Sequence, residues 1–345
     1  MSHDEQIDEA GQRVLLESAR LGDEGAYAEL IEPHRRLLHA HCYRMLGSVH
    51  DAEDAVQETL IKAWRGLAQF EGRSSLRSWL YSIATNVCLR MIERRSARVL
   101  PIDYGPPGDP RAGLGRPLVE STWIEPYPDA QFGVADRLAG PEARYEQREA
   151  VELAFIAALQ HLPARQRAVL ILRDVLGYSG AEVADALDTT ATSVYSLLQR
   201  AHATLDQRLP DRSQQATLRT LGDEQLSAIV NRYVQAWSQA NVDAIVDMLT
   251  DTATLAMPPT VSWFRGPAAI AVFLRATAFD GTHSWRLLPT SANGQLAMGA
   301  YTRDPSGAYL PYGVAVLGLR GDKIDEITNF TDPAAPDRFG LPQQA

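Results

Sequence analysis

Carboxylates and cations fall into two adjoining blocks of this sequence. Asp51, Glu53, Asp54, Gln57 and Glu58 crowd one short stretch. Immediately after it, from Lys62 to Arg98, eight Lys or Arg residues face only two acids, Glu71 and Glu93. Carboxylates spaced three and four residues apart share a helix face. There they can pair with arginines of a protein partner, chiefly setting rate and specificity. The cationic block suits a polyanion. In Phe70-Glu71-Gly72-Arg73-Ser74-Ser75-Leu76-Arg77-Ser78-Trp79, Gly72 permits a tight loop and Ser74 and Ser75 are small donors. Arg73 and Arg77 can neutralise phosphate, and an unpaired base can be held by stacking and loop hydrogen bonds. Asn86 and Arg90, one turn apart, suit a base edge and a phosphate. Arg94, Arg95 and Arg98 would clamp a nucleic-acid backbone. Trp79, followed by Leu80, reads more readily as core than as a stacking platform.

These residues must be positioned by helices. Leu30, Ile31, Leu37, Leu38 and Met45 recur at helical spacing, as do Val56, Leu60, Ile61 and Trp64. Gly47 and Ser48 interrupt the pattern, and Asp51 is placed to cap the next helix. A third apolar face runs through Leu76, Leu80, Ile83, Ala84, Val87 and Met91. From Val99 to Pro141, prolines and glycines deny regular helix. This linker nevertheless carries Trp123, Ile124, Tyr127 and Phe132, too apolar for an inert tether.

Helical periodicity resumes from Glu142 to Leu209. GYSGAEVADALDTTATSVYSLLQRAHATL, residues 177–205, fits a helix-turn-helix whose second helix enters a major groove. Asp188 stands in the turn and tolerates a left-handed backbone. Thr192, Ser193, Ser196, Gln199 and Arg200 are the candidates for direct readout, whereas Leu197 and Leu198 read as core. Beyond Gly222 an amphipathic helix (Leu226, Ile229, Val230, Tyr233, Val234, Trp237) and a second, shorter one give way to apolar runs. Hairpin signals stand at Asn293-Gly294 and Gly321-Asp322. Helices followed by a strand meander imply α+β.

With 345 residues, 45% hydrophobic and 22% charged, the chain has room for two or three globular domains. Its net charge of −10 argues against nucleic-acid binding by the whole chain, but the local field of the cationic block outweighs the total. Two cysteines, Cys42 and Cys88, in helical contexts point to a reducing compartment. The acidic, polar start is unlike a secretion signal, and no apolar run reaches the roughly 20 residues that span a bilayer. A cytoplasmic protein without membrane contact is expected. His34, His39, His41 and Cys42 fall on different helix faces, and neither CxxC nor HExxH occurs, so no metal and no cofactor are expected. GxxxxGK[ST] and GxSxG are also absent.

The phrase DAEDAVQETLIKAW, the segment FEGRSSLRSWL and the pair LPARQRAVLILRDVL and GYSGAEVADALDTTATSVYSLLQRAHATL together resemble extracytoplasmic-function (ECF) sigma factors of the sigma-70 family. The stretches AIVNRYVQAWSQANVDAIVDMLTDTATLAMPP, WFRGPAAIAVFL and KIDEITNFTD resemble a SnoaL-like, NTF2-like cone, an extension found in the sigma-G group. The resemblance implies a multi-domain chain: two all-α sigma domains, a helical bundle and a helix-turn-helix, then an α+β cone. The expected boundaries are a flexible acidic tail at 1–11, a promoter-melting and core-polymerase-binding domain at 12–98 and a Pro/Gly-rich linker at 99–141. The helix-turn-helix domain follows at 142–209, a short linker at 210–221 and the cone at 222–342.

It further implies that Asp51, Glu53, Asp54, Gln57, Glu58 and Trp64 dock on the polymerase's largest subunits. Arg73, Ser74, Ser75, Arg77, Trp79, Asn86, Arg90, Arg94 and Arg95 would handle the minus-ten element. Thr192, Ser193, Tyr195, Ser196, Gln199, Arg200 and His202 would handle the minus-thirty-five element, although Tyr195, Leu197 and His202 stand where the family is often basic. Core RNA polymerase and promoter DNA are the implied partners, and an anti-sigma factor is left open as a third. His283, Trp285, Tyr301, Tyr312 and Asp332 are candidates to line a pocket in the cone. No acid–base pair is singled out there, so no catalytic residue is expected. Two other classes stay open: a cyclase or isomerase domain fused to a DNA-binding module, and a helix-turn-helix repressor.

Overall fold

The computed structural model describes residues 9–118, 122–131 and 150–345. The expected acidic tail up to residue 8, Phe132 and the rest of the linker to Pro141, and the first residues of the expected helix-turn-helix domain, 142–149, lie outside them. The described chain divides into two compact units. One holds residues up to Arg95 together with Leu162–Ala203, and the other Ser96–His161 together with Thr204–Ala345.

The first unit is all helix: α1 (Glu9–Arg20), α2 (Glu24–Leu46), α3 (Val49–Gly66) and α4 (Leu76–Glu93), joined by α7 (Ala164–Leu170), α8 (Gly180–Ala186) and α9 (Ala191–Leu205). Each start is chemically marked. Asp23 accepts from Ala26 N–H at 3.0 Å, and Ser75 from Ser78 N–H at 3.0 Å. Ser179 and Glu182 form a reciprocal capping box at α8. The cap of α3 corrects the sequence reading. Ser48, not Asp51, is the capping residue, its hydroxyl accepting from Asp51 N–H at 3.1 Å. Gly47 ends α2 at φ 69°, the left-handed conformation a Cβ disfavours, and donates to Tyr43 O at 2.7 Å. Asp188, at φ 48°, takes the left-handed position in the helix-turn-helix.

The core of this unit includes Tyr43, Met45, Leu80 and Ile31, all at most 1% exposed. Among the described residues, the basic side chains His41, Arg44 and Arg167 are buried within it. Arg167 donates to the carbonyls of Met45 and, at 3.2 Å, Leu162, and burial lowers its guanidinium to about 10. His41 lies 2.9 Å from the Thr85 hydroxyl, and burial, then the nearby Arg44 charge, lowers its imidazole to about 3.

The second unit is built on a six-stranded sheet: β1 (Leu249–Ala256), β2 (Trp263–Arg265), β3 (Trp285–Ala292), β4 (Gln295–Arg303), β5 (Tyr309–Arg320) and β6 (Lys323–Phe330). Their order is β2-β1-β6-β5-β4-β3, antiparallel except for the β1–β6 pair. Both expected hairpins form two-residue turns, pairing Ala292 with Gln295 and Arg320 with Lys323. Helices α10 (Gln214–Ser238), α11 (Val242–Val246) and α12 (Pro267–Ala276) contribute Tyr233, Trp237, Ile245, Ile270 and Phe273 to its core. Residues expected as a short linker are helical from Gln214 on. Ser213 caps that helix, and the Glu152 carboxylate accepts from Gln214 and Gln215 N–H at 2.9 and 2.7 Å. Gly222, at φ 72°, kinks it.

The Pro/Gly-rich segment does not hang free of this sheet. It carries the short helix α5 (Pro101–Tyr104); α6 (Leu153–Gln160), from the stretch expected to belong to the helix-turn-helix domain, also falls in this second unit. Trp123, Ile124 and Tyr127 are buried, the last two completely. Tyr127 and Asn293 exchange hydrogen bonds: Tyr127 N–H to Asn293 Oδ1 at 2.8 Å, and Asn293 N–H to Tyr127 O at 2.9 Å. Asn293 Nδ2 also donates to Val151 O at 2.8 Å. Asp129 accepts from Gly294 N–H at 2.8 Å.

Asn293→Ala would strand the buried Tyr127 N–H and Val151 C=O and place alanine at φ 55°. It should lower the stability of the second unit by about 2–4 kcal/mol, read by urea unfolding. Acid should act on the first unit through His41. Its folded value of about 3 lies below the ordinary 6.5, so unfolding takes up a proton and stability falls as pH drops from 6.5 towards 3. His41→Gln should flatten that slope between about pH 6 and pH 4, measured by unfolding at stepped pH.

Candidate nucleic-acid interface and cone cavity

The acidic face of α3 is sorted by burial. Glu53, Asp54 and Gln57 are exposed. Glu58 is half-buried and engaged by Lys62 at 3.0 Å and Arg90 at 3.5 Å. The Lys62 hydrogen bond leads in holding its carboxyl below the ordinary value. Asp51 departs from the expectation of an exposed docking carboxylate: it is 7% exposed and ion-paired with Arg95. That hydrogen bond is the main cause raising the Arg95 guanidinium. Arg95, expected on a DNA backbone, is thus a partner of Asp51 in this structure. Trp64, expected at a docking surface, is half-buried with its ring 4.9 Å from Tyr27.

The loop after α3 keeps its cationic tip outside. Gly72 adopts φ 72°, and Arg73 and Ser74 are exposed, Arg73 pairing with Glu71 at 2.8 Å. The base of the loop is fastened by Arg20, which donates to Phe70 O. Ser75 spends its side chain on the α4 cap. Trp79 is half-buried, its ring 4.9 Å from that of Phe70 and tilted to it by 34°, and close beneath Gly66, so it is a satellite-core residue rather than a free platform. Arg77 lies over the Tyr81 ring at 5.7 Å. Arg90 and Arg94 are exposed. Asn86 is already engaged, its amide donating to Ser82 O at 3.0 Å and to Ala186 O at 3.2 Å. The Ser82 hydroxyl reaches the same Ala186 carbonyl at 3.3 Å. Arg98 is buried in the second unit, donating to Trp123 O at 2.8 Å, and is no backbone clamp here.

On α9, Thr192, Ser196, Gln199 and Arg200 are exposed on one side, while Val194 and Ala201 are buried. Ser193 is half-buried and its N–H is taken by Thr190 Oγ1 at 3.2 Å. Tyr195 is 55% exposed, flanked by Arg173 at 5.9 Å, and its hydroxyl end nearly touches Gly180. His202 is bound by Asp174 at 2.6 Å. Leu197 and Leu198 are half-buried. The arrangement offers hydroxyl, amide and guanidinium donors in a row, the chemistry of base-edge readout.

In the cone, a cavity of about 250 Å³ lies between the helices and the sheet. His283, Trp285 and Tyr312 line it as expected; Tyr301 and Asp332 do not. Along β4, Ala300 faces the cavity, so Tyr301 must face the other way, where it donates to Pro342 O at 2.7 Å. Asp332 is paired with Arg338 at 2.8 Å. The lining holds no carboxylate, and its His283 is exposed and turned to Asp280 at 3.3 Å. Hydrogen bonds from Thr282 lead in lowering Asp280 to about 2. Sequence reasoning missed Tyr233, Trp237 and Asn329 in that lining. Helical periodicity marks the first two as core, without showing that the core is hollow.

Comparison with known proteins agrees with this architecture. Residues 30–98 match sigma-70 region 2, residues 146–205 sigma-70 region 4, and residues 230–327 the SnoaL-like domain. The chain is 42% identical to the ECF RNA polymerase sigma factor SigG of Mycobacterium tuberculosis, over 94% of its own length and 85% of that protein. It is 26% identical to the ECF RNA polymerase sigma factor SigW of Bacillus subtilis, over 57% of this chain and 95% of SigW. The crystal structure of the Mycobacterium tuberculosis ECF sigma factor SigJ has the same fold, with TM-score 0.55, 21% identity, and 90% and 97% of the two chains covered. With a sigma-G relative aligned from the helical domains through the cone, this chain belongs to the ECF RNA polymerase sigma factors.

Proposed function

We propose that the protein directs core RNA polymerase to a specific class of promoters in the bacterial cytoplasm, and that its attached cone modulates this. The observation that carries the reading is a division of charge on one compact helical unit. The outward carboxyl face of α3, Glu53 and Asp54 with Gln57, serves the polymerase. The Gly72 loop with Arg73 and Ser74, together with Arg90 and Arg94, meets the melted strand. The exposed row on α9 reads the upstream element. Nothing in this scheme makes or breaks a covalent bond. The cyclase reading finds no support in a cavity whose lining contains no carboxylate.

Asn86 enters this scheme conditionally. Its amide is held by Ala186 O, at the end of the first helix of the helix-turn-helix, so donation from that N–H to a base requires the bond to open. The two DNA-binding parts therefore separate before the minus-ten element is engaged. The linker at 99–141 is the span that must allow this, and the hydrogen bonds of Tyr127 to the Asn293 turn give the cone a hold on it.

Run-off transcription with purified core polymerase tests the whole reading; failure to form a holoenzyme would end it. Glu53→Lys with Asp54→Lys should weaken core binding at least about tenfold, the effect of roughly 1.4 kcal/mol, while thermal unfolding stays unchanged. Arg200→Ala should cost about 1–3 kcal/mol of promoter affinity if the guanidinium contacts a base bidentately. An unaltered footprint would remove Arg200 from the reading row.

A further inference from the structure

One aromatic ring on the reading helix is held in place by two neighbours. Tyr195 is rooted on α9, yet its ring lies against Gly180, the first residue of α8. A Cβ added to Gly180 would meet the Tyr195 hydroxyl oxygen at 2.9 Å, Cζ at 3.0 Å and Cε2 at 3.2 Å. Gly180 is buried and helical, and it is not one of the glycines with positive φ. Its backbone would therefore accept alanine, the best helix former. The tyrosine, not the backbone, is what requires glycine at this position. Arg173, just beyond α7, makes the second contact, its guanidinium carbon over the ring at 5.9 Å from the centroid and within cation–π reach. Tyr195 nevertheless stays 55% exposed, and among the described residues its hydroxyl forms no hydrogen bond.

The place of that hydroxyl follows from the motif. In a helix-turn-helix the second helix lies in the major groove while the first crosses the sugar–phosphate backbone. A side chain that starts on α9 and ends on α8 spans the lip of the groove, where phosphates run rather than base edges. Cationic charge along α9 is sparse. Arg200 is its only Lys or Arg, and His202 is already engaged by Asp174 at 2.6 Å.

We propose that Tyr195 is an uncharged phosphate contact of the upstream element, its hydroxyl donating to a phosphate oxygen while the ring is seated on Gly180 and braced by Arg173. Gly180 is then a positioning residue. A hydrogen bond to an ionised acceptor is among the stronger ones. A wedged ring also loses less freedom on binding than a long flexible cation would. Salt dependence arises from the counterions that cationic side chains displace. A neutral donor displaces none, so this contact adds affinity without steepening the response to ionic strength. The inference rests on the reading of α9 as the upstream-element helix.

The test is equilibrium binding of holoenzyme, assembled from the full-length chain and core polymerase, to a genomic fragment that the wild-type holoenzyme transcribes by run-off. Salt is varied between about 50 and 200 mM. Tyr195→Phe should weaken binding about tenfold, and by the same factor on a fragment whose minus-thirty-five element is scrambled. The salt slope and the thermal midpoint should stay as they are. Tyr195→Lys should steepen the slope of log Kobs against log salt by about 0.9. Gly180→Ala should match the loss in Tyr195→Phe, yet cost nothing further beside Tyr195→Ala, whereas a merely structural glycine would cost the same in both backgrounds. Unchanged affinity in Tyr195→Phe would overturn the contact, and so would a loss confined to the intact element, which marks a base contact. A Gly180→Ala penalty that persists beside Tyr195→Ala would overturn the positioning role. If the wild-type holoenzyme transcribes no fragment, the sigma-factor reading falls and this contact with it; transcription by wild type alongside indifferent variants removes the contact alone.

Discussion

The exchange of hydrogen bonds between Tyr127 and the turn at Asn293 is the constraint on which the second unit depends. A segment rich in proline and glycine has little means of satisfying its own backbone groups, because it forms no continuous helix or strand. Buried N–H and C=O groups need partners all the same. The β3–β4 turn supplies them from a single side chain, whose carbonyl and amide reach Tyr127 N–H and Val151 C=O at 2.8 Å each. Those two residues bracket the undescribed stretch from 132 to 149, so the same asparagine holds the chain before and after it. Only a residue with both a donor and an acceptor, tolerating a left-handed backbone, can do all three jobs. Aspartate lacks the donor and glycine lacks the side chain.

Charge in the first unit is likewise divided by what surrounds it. Arg167 and Asp51 carry buried charge, each with specific partners, and contribute to uniqueness of packing more than to net stability. Glu53, Asp54, Arg73 and Arg94 stand in solvent, where a charge has little effect on folding and much on encounter with a partner. The Asp51–Arg95 pair joins the two sequence blocks, tying the start of α3 to the residues that follow α4. One carboxylate and one cation are thereby withdrawn from the surfaces to which their spacing assigned them.

Much of this was legible in the sequence, and the unreadable part has a common cause. Helical periodicity located α2, α3, α4 and α9, and the Asn293-Gly294 and Gly321-Asp322 pairs located hairpins, because these signals are local. The misreadings are long-range. Nothing local to Asp51 announces Arg95, 44 positions away. Likewise nothing near Asn86 announces a carbonyl 100 positions further on. Trp79 reads as core from its apolar neighbour Leu80, a local cue, and it packs against the Ala19, Ala26 and Leu67 cluster. The cavity residues split the same way. Trp285 and Tyr312 could be suspected as aromatics on strands. The face to which Tyr301 points depends on strand phase, which its own run, Gly299-Ala300-Tyr301-Thr302, hardly records.

The contacts of residues 105–118 give the cone a hold on the linker without any change in its sheet. Leu114 packs on the cone core, and backbone hydrogen bonds run from Gly108 N–H to Trp263 O at 2.8 Å and from Leu118 N–H to Pro259 O at 3.0 Å. A tether held by several weak, spatially separate contacts is more responsive than one fixed by a single strong one, because each contact can be lost without unfolding the domain behind it.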